Sequence, residues 1–237
     1  MSDIITALIA AAKSLFHPKI LAIVLWPMLF ALVLWGVLAW VFWADWLAQL
    51  NNWIAPAELF LNQYDFTWLA SALTVTLMLL LIAPLALTTA LLIAAVVAMP
   101  MMVNHVAKRD YADLARLHGG TALGSIWNAL VAVGVFIGLW LVTLPFWLAA
   151  GLGAIFSLLL TAYLNQRLFR YDALAEHASR DEFDAILEQS GGSLYGMGLL
   201  LALLHFVPVI NLFSPIYTGL AYIHFGLAKL RQLRAQA

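Results

Sequence analysis

The 237-residue chain contains no cysteine. Disulfides, thiol catalysis, zinc–thiolate centres and iron–sulfur clusters are therefore excluded. Charge is also scarce. Only 10% of residues are Asp, Glu, Lys or Arg, against 65% hydrophobic, where a soluble domain carries roughly 25% charged and about 45–50% apolar residues. With a mean hydropathy of +0.97, there is too little polar surface to cover a water-soluble globule of this size. A soluble enzyme, a nucleic-acid binder and a disordered chain are excluded on that ground. No HExxH, P-loop, GxGxxG or nucleophile elbow occurs, so the chain is read as a non-enzyme with no metal site and no cofactor. Asp3 stands where a signal peptide has a basic leader and Lys13 interrupts the first apolar stretch, so the opening segment is not expected to be a cleaved signal.

What the chain does have is four charge-free runs, at 20–44, 66–107, 117–166 and 189–228. The class is an all-α, polytopic helical membrane protein, with the lipid bilayer as its principal partner. All eleven basic residues lie between or beyond the runs: Lys13 and Lys19, then Lys108, Arg109 and Arg116, then Arg167, Arg170 and Arg180, then Lys229, Arg231 and Arg234. The stretch 44–65 holds Asp45, Glu58 and Asp65 but no Lys or Arg. The bias of cytoplasmic loops toward Lys and Arg then places both termini, 108–116 and 167–188 inside and 44–65 outside.

That map fixes an expected architecture for a single membrane domain, 1–237. Residues 2–16 form an amphipathic interfacial helix, since Ile4, Ile5, Leu8, Ala12, Leu15 and Phe16 recur at helical spacing. Residues 20–43 are the first span. Run two, 66–107, returns as one long helix of about 63 Å against a core of ~30 Å, bent at Pro84 or Pro100. Runs three and four start and end on the same side, so each is a helical hairpin, 121–166 and 190–228. Their turns fall near Thr143–Pro145 and across 208–215. Whether each hairpin crosses fully or only dips is left open by charge counting, although the short halves of the second suit half-penetration. Between them, 167–188 is a charged cytoplasmic helical segment. Ser179 with Glu182 makes a capping-box pattern, and Gly191-Gly192 is expected to end that helix. The pairs Gly134/Gly138 and Gly192/Gly196 have GxxxG spacing, which predicts close helix–helix contact.

Three stretches carry a family resemblance. Phe16-His17-Pro18-Lys19-Ile20-Leu21-Ala22-Ile23-Val24-Leu25-Trp26-Pro27 resembles the opening of CysZ-type sulfate permeases and the related etoposide-induced-protein family. Met99-Pro100-Met101-Met102-Val103-Asn104-His105-Val106 with Tyr111 is similar to their second signature, and 207–215 to their third. The resemblance implies two long transmembrane helices and two membrane-dipping hairpins. It also implies a homo-oligomer of the bacterial inner membrane, and passage of sulfate or a similar small anion toward cysteine synthesis. Where members carry an Arg pair associated with sulfate binding, this chain has Leu21 and Ala22, with Lys19 the nearby cation.

Candidate sites follow from both readings. Lys19 with His17 offers a point charge for an oxyanion, or a lysine snorkelling to the interface. Asn211 and Ser214 at the second hairpin tip offer donors beside a helix start, or simply satisfy the tip backbone. His205 is an ionisable-type side chain within a predicted hairpin. It is a gating candidate, or a neutral ring bonded to a backbone carbonyl. Asn104, next to His105, and Thr143 are pore-lining candidates against a capping or packing role. The leading function is an oxyanion permease or channel. The alternative is a membrane scaffold that transports nothing.

Overall fold

The computed structural model describes residues 2–64, 67–93, 97–148, 152–207, 211 and 213–236. Among these the regular structure is entirely helical: α1 Ser2–Leu15, α2 Pro18–Gln63, α3 Thr67–Ile93, α4 Met99–Asp110, α5 Ala122–Thr143, α6 Leu152–Leu174, α7 Arg180–Ala202 and α8 Ser214–Gln236. Among the described residues, four helices are long and apolar enough to cross a membrane: Pro18–Pro56, Ala72–Ala90, Leu123–Trp147 and Leu152–Leu174. The protein is an all-α polytopic membrane protein.

The helices are longer than the charge-free runs. The expected outer stretch 44–65 is helical as far as Gln63. Its sequence lacks Gly, is rich in Ala and Leu, and keeps Trp46, Leu50, Trp53 and Ile54 at helical spacing. A charge marks where the lipid ends, not where a helix must stop. Over the long helix expected at 66–107, the described residues form α3 and α4, and 94–96 lie outside them. Pro84 lies within α3. Val97 and Ala98 form a π-type turn, and Pro100 sits in the first turn of α4, where its missing N–H costs nothing. The segment 167–188 is helical at both ends. Its first residues complete α6, and a turn precedes α7.

The chain forms two compact units, Ala22–Ala98 and Met1–Leu21 with Met99–Ala237. The first is tied by Trp35, whose Nε1 donates to Thr89 Oγ1 at 3.0 Å, while that hydroxyl donates to Leu85 O at 2.8 Å. Trp46 packs on Trp35 and stacks on Phe42.

The second unit is organised around α8, in which every residue from Thr218 to Leu227 is buried. A helix apolar on all sides must be enclosed by others, and α1, α4, α6 and α7 pack on it. The docking face of α1 is Ile4, Ala7, Ala11 and Ser14. Its other side exposes Ile5, Ile9 and Phe16, a stripe suited to lipid. The first hairpin turns where expected, with α5 ending at Thr143 and a 3-10 turn over Leu144–Leu148. The tip of the second lies partly outside the described residues.

The Ser179–Glu182 capping box forms as the pattern predicts, with Ser179 N–H to Glu182 Oε2 at 2.8 Å and Glu182 N–H to Ser179 Oγ at 3.2 Å. Gly191-Gly192, however, does not end the helix, which continues to Ala202. Each glycine costs about 1 kcal/mol in a helix interior. The buried Ser190, Leu194, Met197 and Leu201 outweigh that cost. Close approach does not occur at the GxxxG glycines within one copy. A Cβ added at Gly134, Gly138, Gly192 or Gly196 meets nothing within 4 Å. It occurs at Gly198, where an added Cβ would sit 2.7 Å from Ala162 O and 2.8 Å from Tyr222 Oη.

Candidate functional site

Three cationic or potentially cationic side chains surround His105 near the end of α4. Pro18 opens α2, and His17 occupies the turn before it. The Lys19 N–H donates to His17 Nδ1 at 3.2 Å. A neutral His17 ring therefore carries its hydrogen on Nε2. That ring lies 4.7 Å from the His105 ring, centroid to centroid, tilted by 50°. His105 Nε2 is buried and has no hydrogen-bond partner. Burial, and then the facing charges of His17, Arg109 and Lys19, hold His105 below the ordinary histidine range, with Asp110 opposing. A buried unpaired polar atom costs about 1–3 kcal/mol.

A hydrogen-bonded frame holds the cluster in place. Arg109 grips Asp110 through Nε and NH2 at 2.9 and 2.7 Å and reaches Ser14 Oγ at 2.8 Å. The buried Ser14 hydroxyl lies 2.9 Å from His224 Nε2, and Tyr111 donates to His224 O at 3.0 Å. Burial drives His224 down to about 4, so the ring is neutral near pH 7 and acts as a link between α1, α4 and α8.

A second cationic pair lies on α6. Arg167 and Arg170 are half-buried, one helical turn apart. Arg170 donates to Gln166 Oε1 at 2.8 Å. Arg167 Nε is buried without a partner. Among the described residues neither guanidinium has a carboxylate within ion-pair distance. Insertion of an Arg at the centre of a membrane helix costs about 2.5–3.5 kcal/mol, less near the ends where it can snorkel. These two lie in the last two turns of a candidate span. Charge counting misses the pair, because it treats both arginines as boundary markers between runs. The signal in the sequence is the absence of acids at helical spacing. Asp172 stands two residues after Arg170 and five after Arg167, and neither offset brings side chains face to face.

The remaining sequence candidates are placed as follows. Lys19 is exposed. Asn104 is drawn into a polar network, accepting from Arg116 on Oδ1 and donating to Glu176 Oε2 at 3.4 Å, while Arg116 pairs with Glu176. Thr143 donates to Trp140 O of its own helix at 2.9 Å. His205 is exposed in the 3-10 turn Leu203–Phe206, with Nδ1 3.3 Å from Ala202 O. Asn211 is exposed, and its N–H donates to Val207 O at 2.8 Å. Ser214 begins α8 fully buried, with Oγ unpartnered, as is Thr218 Oγ1 one turn on. The structure thus brings His17, and the charge of Lys19, to His105, which the sequence reading sets beside Asn104 as a path-lining residue against a capping or packing role.

Comparison with known proteins finds a family. The model of the family described as "Sulfate transporter CysZ/Etoposide-induced protein 2.4" matches residues 7–215. No curated protein and no solved structure matches the chain.

Proposed function

The chain belongs to the sulfate transporter CysZ/etoposide-induced protein 2.4 family, and from that premise we propose that it is a permease or channel for a small oxyanion, sulfate by the family's description. Family membership supports a membrane transporter role, and four apolar helices support a multi-pass protein. In this reading the protein sits in the bacterial inner membrane with both termini in the cytoplasm. It works as an assembly of identical copies and feeds sulfur into cysteine synthesis.

One observation carries the anionic substrate: Nε2 of His105 is buried and unpartnered in a ring 4.7 Å from that of His17, with the charges of Lys19 and Arg109 acting on it. An oxyanion there accepts from His17 Nε2–H and from His105, and its charge is balanced by the neighbouring cations. Energetics restrict the mechanism. An inside-negative potential of ~100 mV opposes a dianion by roughly 4.6 kcal/mol, so passive entry runs only while the anion is consumed inside.

Uptake of radiolabelled sulfate into proteoliposomes tests the proposal, with chloride and phosphate as controls. Sulfate flux is expected, and His105→Leu should lower it at least ten-fold without changing the melting temperature. Uptake of no anion at all overturns transport and leaves the scaffold reading.

A further inference from the structure

We propose that Arg167 and Arg170 on α6 form a binding site for a tetrahedral oxyanion, a sulfate or phosphate group. The site shares no residue with the His17–His105 cluster and does not need the transport reading to hold.

The other arginines show what this pair lacks. Arg109, Arg116, Arg231 and Arg234 each hold a carboxylate, from Asp110, Glu176, Asp113 and Glu182. Arg180 is exposed to solvent and needs no partner. Arg167 and Arg170 are half-buried in a helix of membrane-spanning length and have none. Helical spacing puts them on one stripe with Tyr163 and Gln166. Two like charges one turn apart repel each other, unless a shared counter-ion lies between them. Gln166 already orients the Arg170 guanidinium from one side, while Arg167 Nε points into protein with nothing to donate to. Two planar guanidinium forks present parallel N–H pairs, the arrangement that grips a tetrahedral oxyanion by two oxygens at a time. Among the described residues no carboxylate pairs with either arginine, and the proposed site takes its negative charge from a ligand.

Two sources present the same chemistry at this depth, two turns from the end of a span: the phosphate of an anionic lipid headgroup, and a free sulfate or phosphate. Both are distinguished on purified wild-type protein by phenylglyoxal labelling of arginine, mapped by mass spectrometry. Sulfate protecting Arg167 and Arg170 in delipidated protein identifies the free ion. Protection by phosphatidylglycerol but not phosphatidylcholine nanodiscs identifies the lipid. Either supports the site. The double variant Arg167→Gln/Arg170→Gln should lose the corresponding ligand by at least ten-fold, read as bound radiolabelled sulfate or as co-purified phospholipid phosphorus. Arg167→Lys/Arg170→Lys, which keeps the charge and loses the fork, should retain part of it. The site is overturned if neither ligand protects the two arginines, or if a folded double variant binds both ligands as well as wild type. Failure of transport shows differently, as sulfate binding without uptake.

Discussion

Compare the charged ends of the second unit's helices with the last two turns of α6. At the ends, five basic residues each hold a carboxylate: Arg109, Arg116, Lys229, Arg231 and Arg234. On α6, Arg167 and Arg170 hold none among the described residues. The residue type is the same and the physical situation is opposite. A cation with its own acid is part of the fold, because removing either partner strands the other. A half-buried cation without one weakens the fold, and the site proposed on α6 would offset that cost with a ligand from outside. The comparison holds for half-buried cations only, since an exposed one such as Arg180 is satisfied by water.

The sharpest break between the two regions is expected at Arg234. It makes two bonds to Glu182, at 2.7 and 2.9 Å, and donates to Ala115 O and His177 O at 2.9 and 2.8 Å. It thereby joins the last turn of α8 to the capping box of α7, and it holds the Glu182 carboxyl below the usual carboxylate range. Arg234→Gln leaves a half-buried carboxylate and two carbonyls short of donors. It should destabilise by about 2–3 kcal/mol, read as a fall in melting temperature of the detergent-solubilised protein. An unchanged melting temperature would place Arg234 with the dispensable charges. Arg167→Met and Arg170→Met should do the reverse in protein stripped of ligand. Removing an unpaired half-buried cation from an apolar helix is expected to be neutral or to stabilise by up to about 1 kcal/mol. A loss comparable to that at Arg234 would mean the α6 pair supports the fold after all.

The same contrast explains what could be read from the sequence. Helix content, the first hairpin turn and the Ser179–Glu182 cap are local, and local spacing reveals them. The extent of α2 past Asp45 is not marked by charge, because helix formers continue across the boundary of the apolar run. The GxxxG pattern names glycines that could approach another helix. Which glycine does so is decided by tertiary placement, and Gly198 has no such partner in the pattern. For the site, His17 and Lys19 are visible as cations beside Pro18. Their meeting with His105, almost ninety residues later, depends on how α4 packs, which no window of sequence contains. Arg167 and Arg170 look like ordinary loop arginines until α6 is seen to run on to Leu174.

A smaller effect is expected at Asp3–Lys229, at 2.6 Å. Its carboxylate is largely open to solvent, with a side-chain exposure of 47%. Water and salt screen the pair, so Asp3→Asn should cost only a few tenths of a kcal/mol, and high salt should remove the difference. The hydrogen bond and charge of Lys229 hold Asp3 below the ordinary carboxylate range. Its contribution is therefore present above the unfolded value, near pH 4, and is lost as pH falls through the lower folded value. Thermal melts of wild type and Asp3→Asn should differ slightly at pH 7 in low salt and converge in acid. The pair clips α1 onto α8 beside a cavity of about 300 Å³ lined by Tyr111, His224 and Gln232. A cost of 1 kcal/mol or more, persisting in high salt, would show that this end of α1 is held by the ion pair. The buried face of Ile4, Ala7 and Ala11 would then not be enough to dock it.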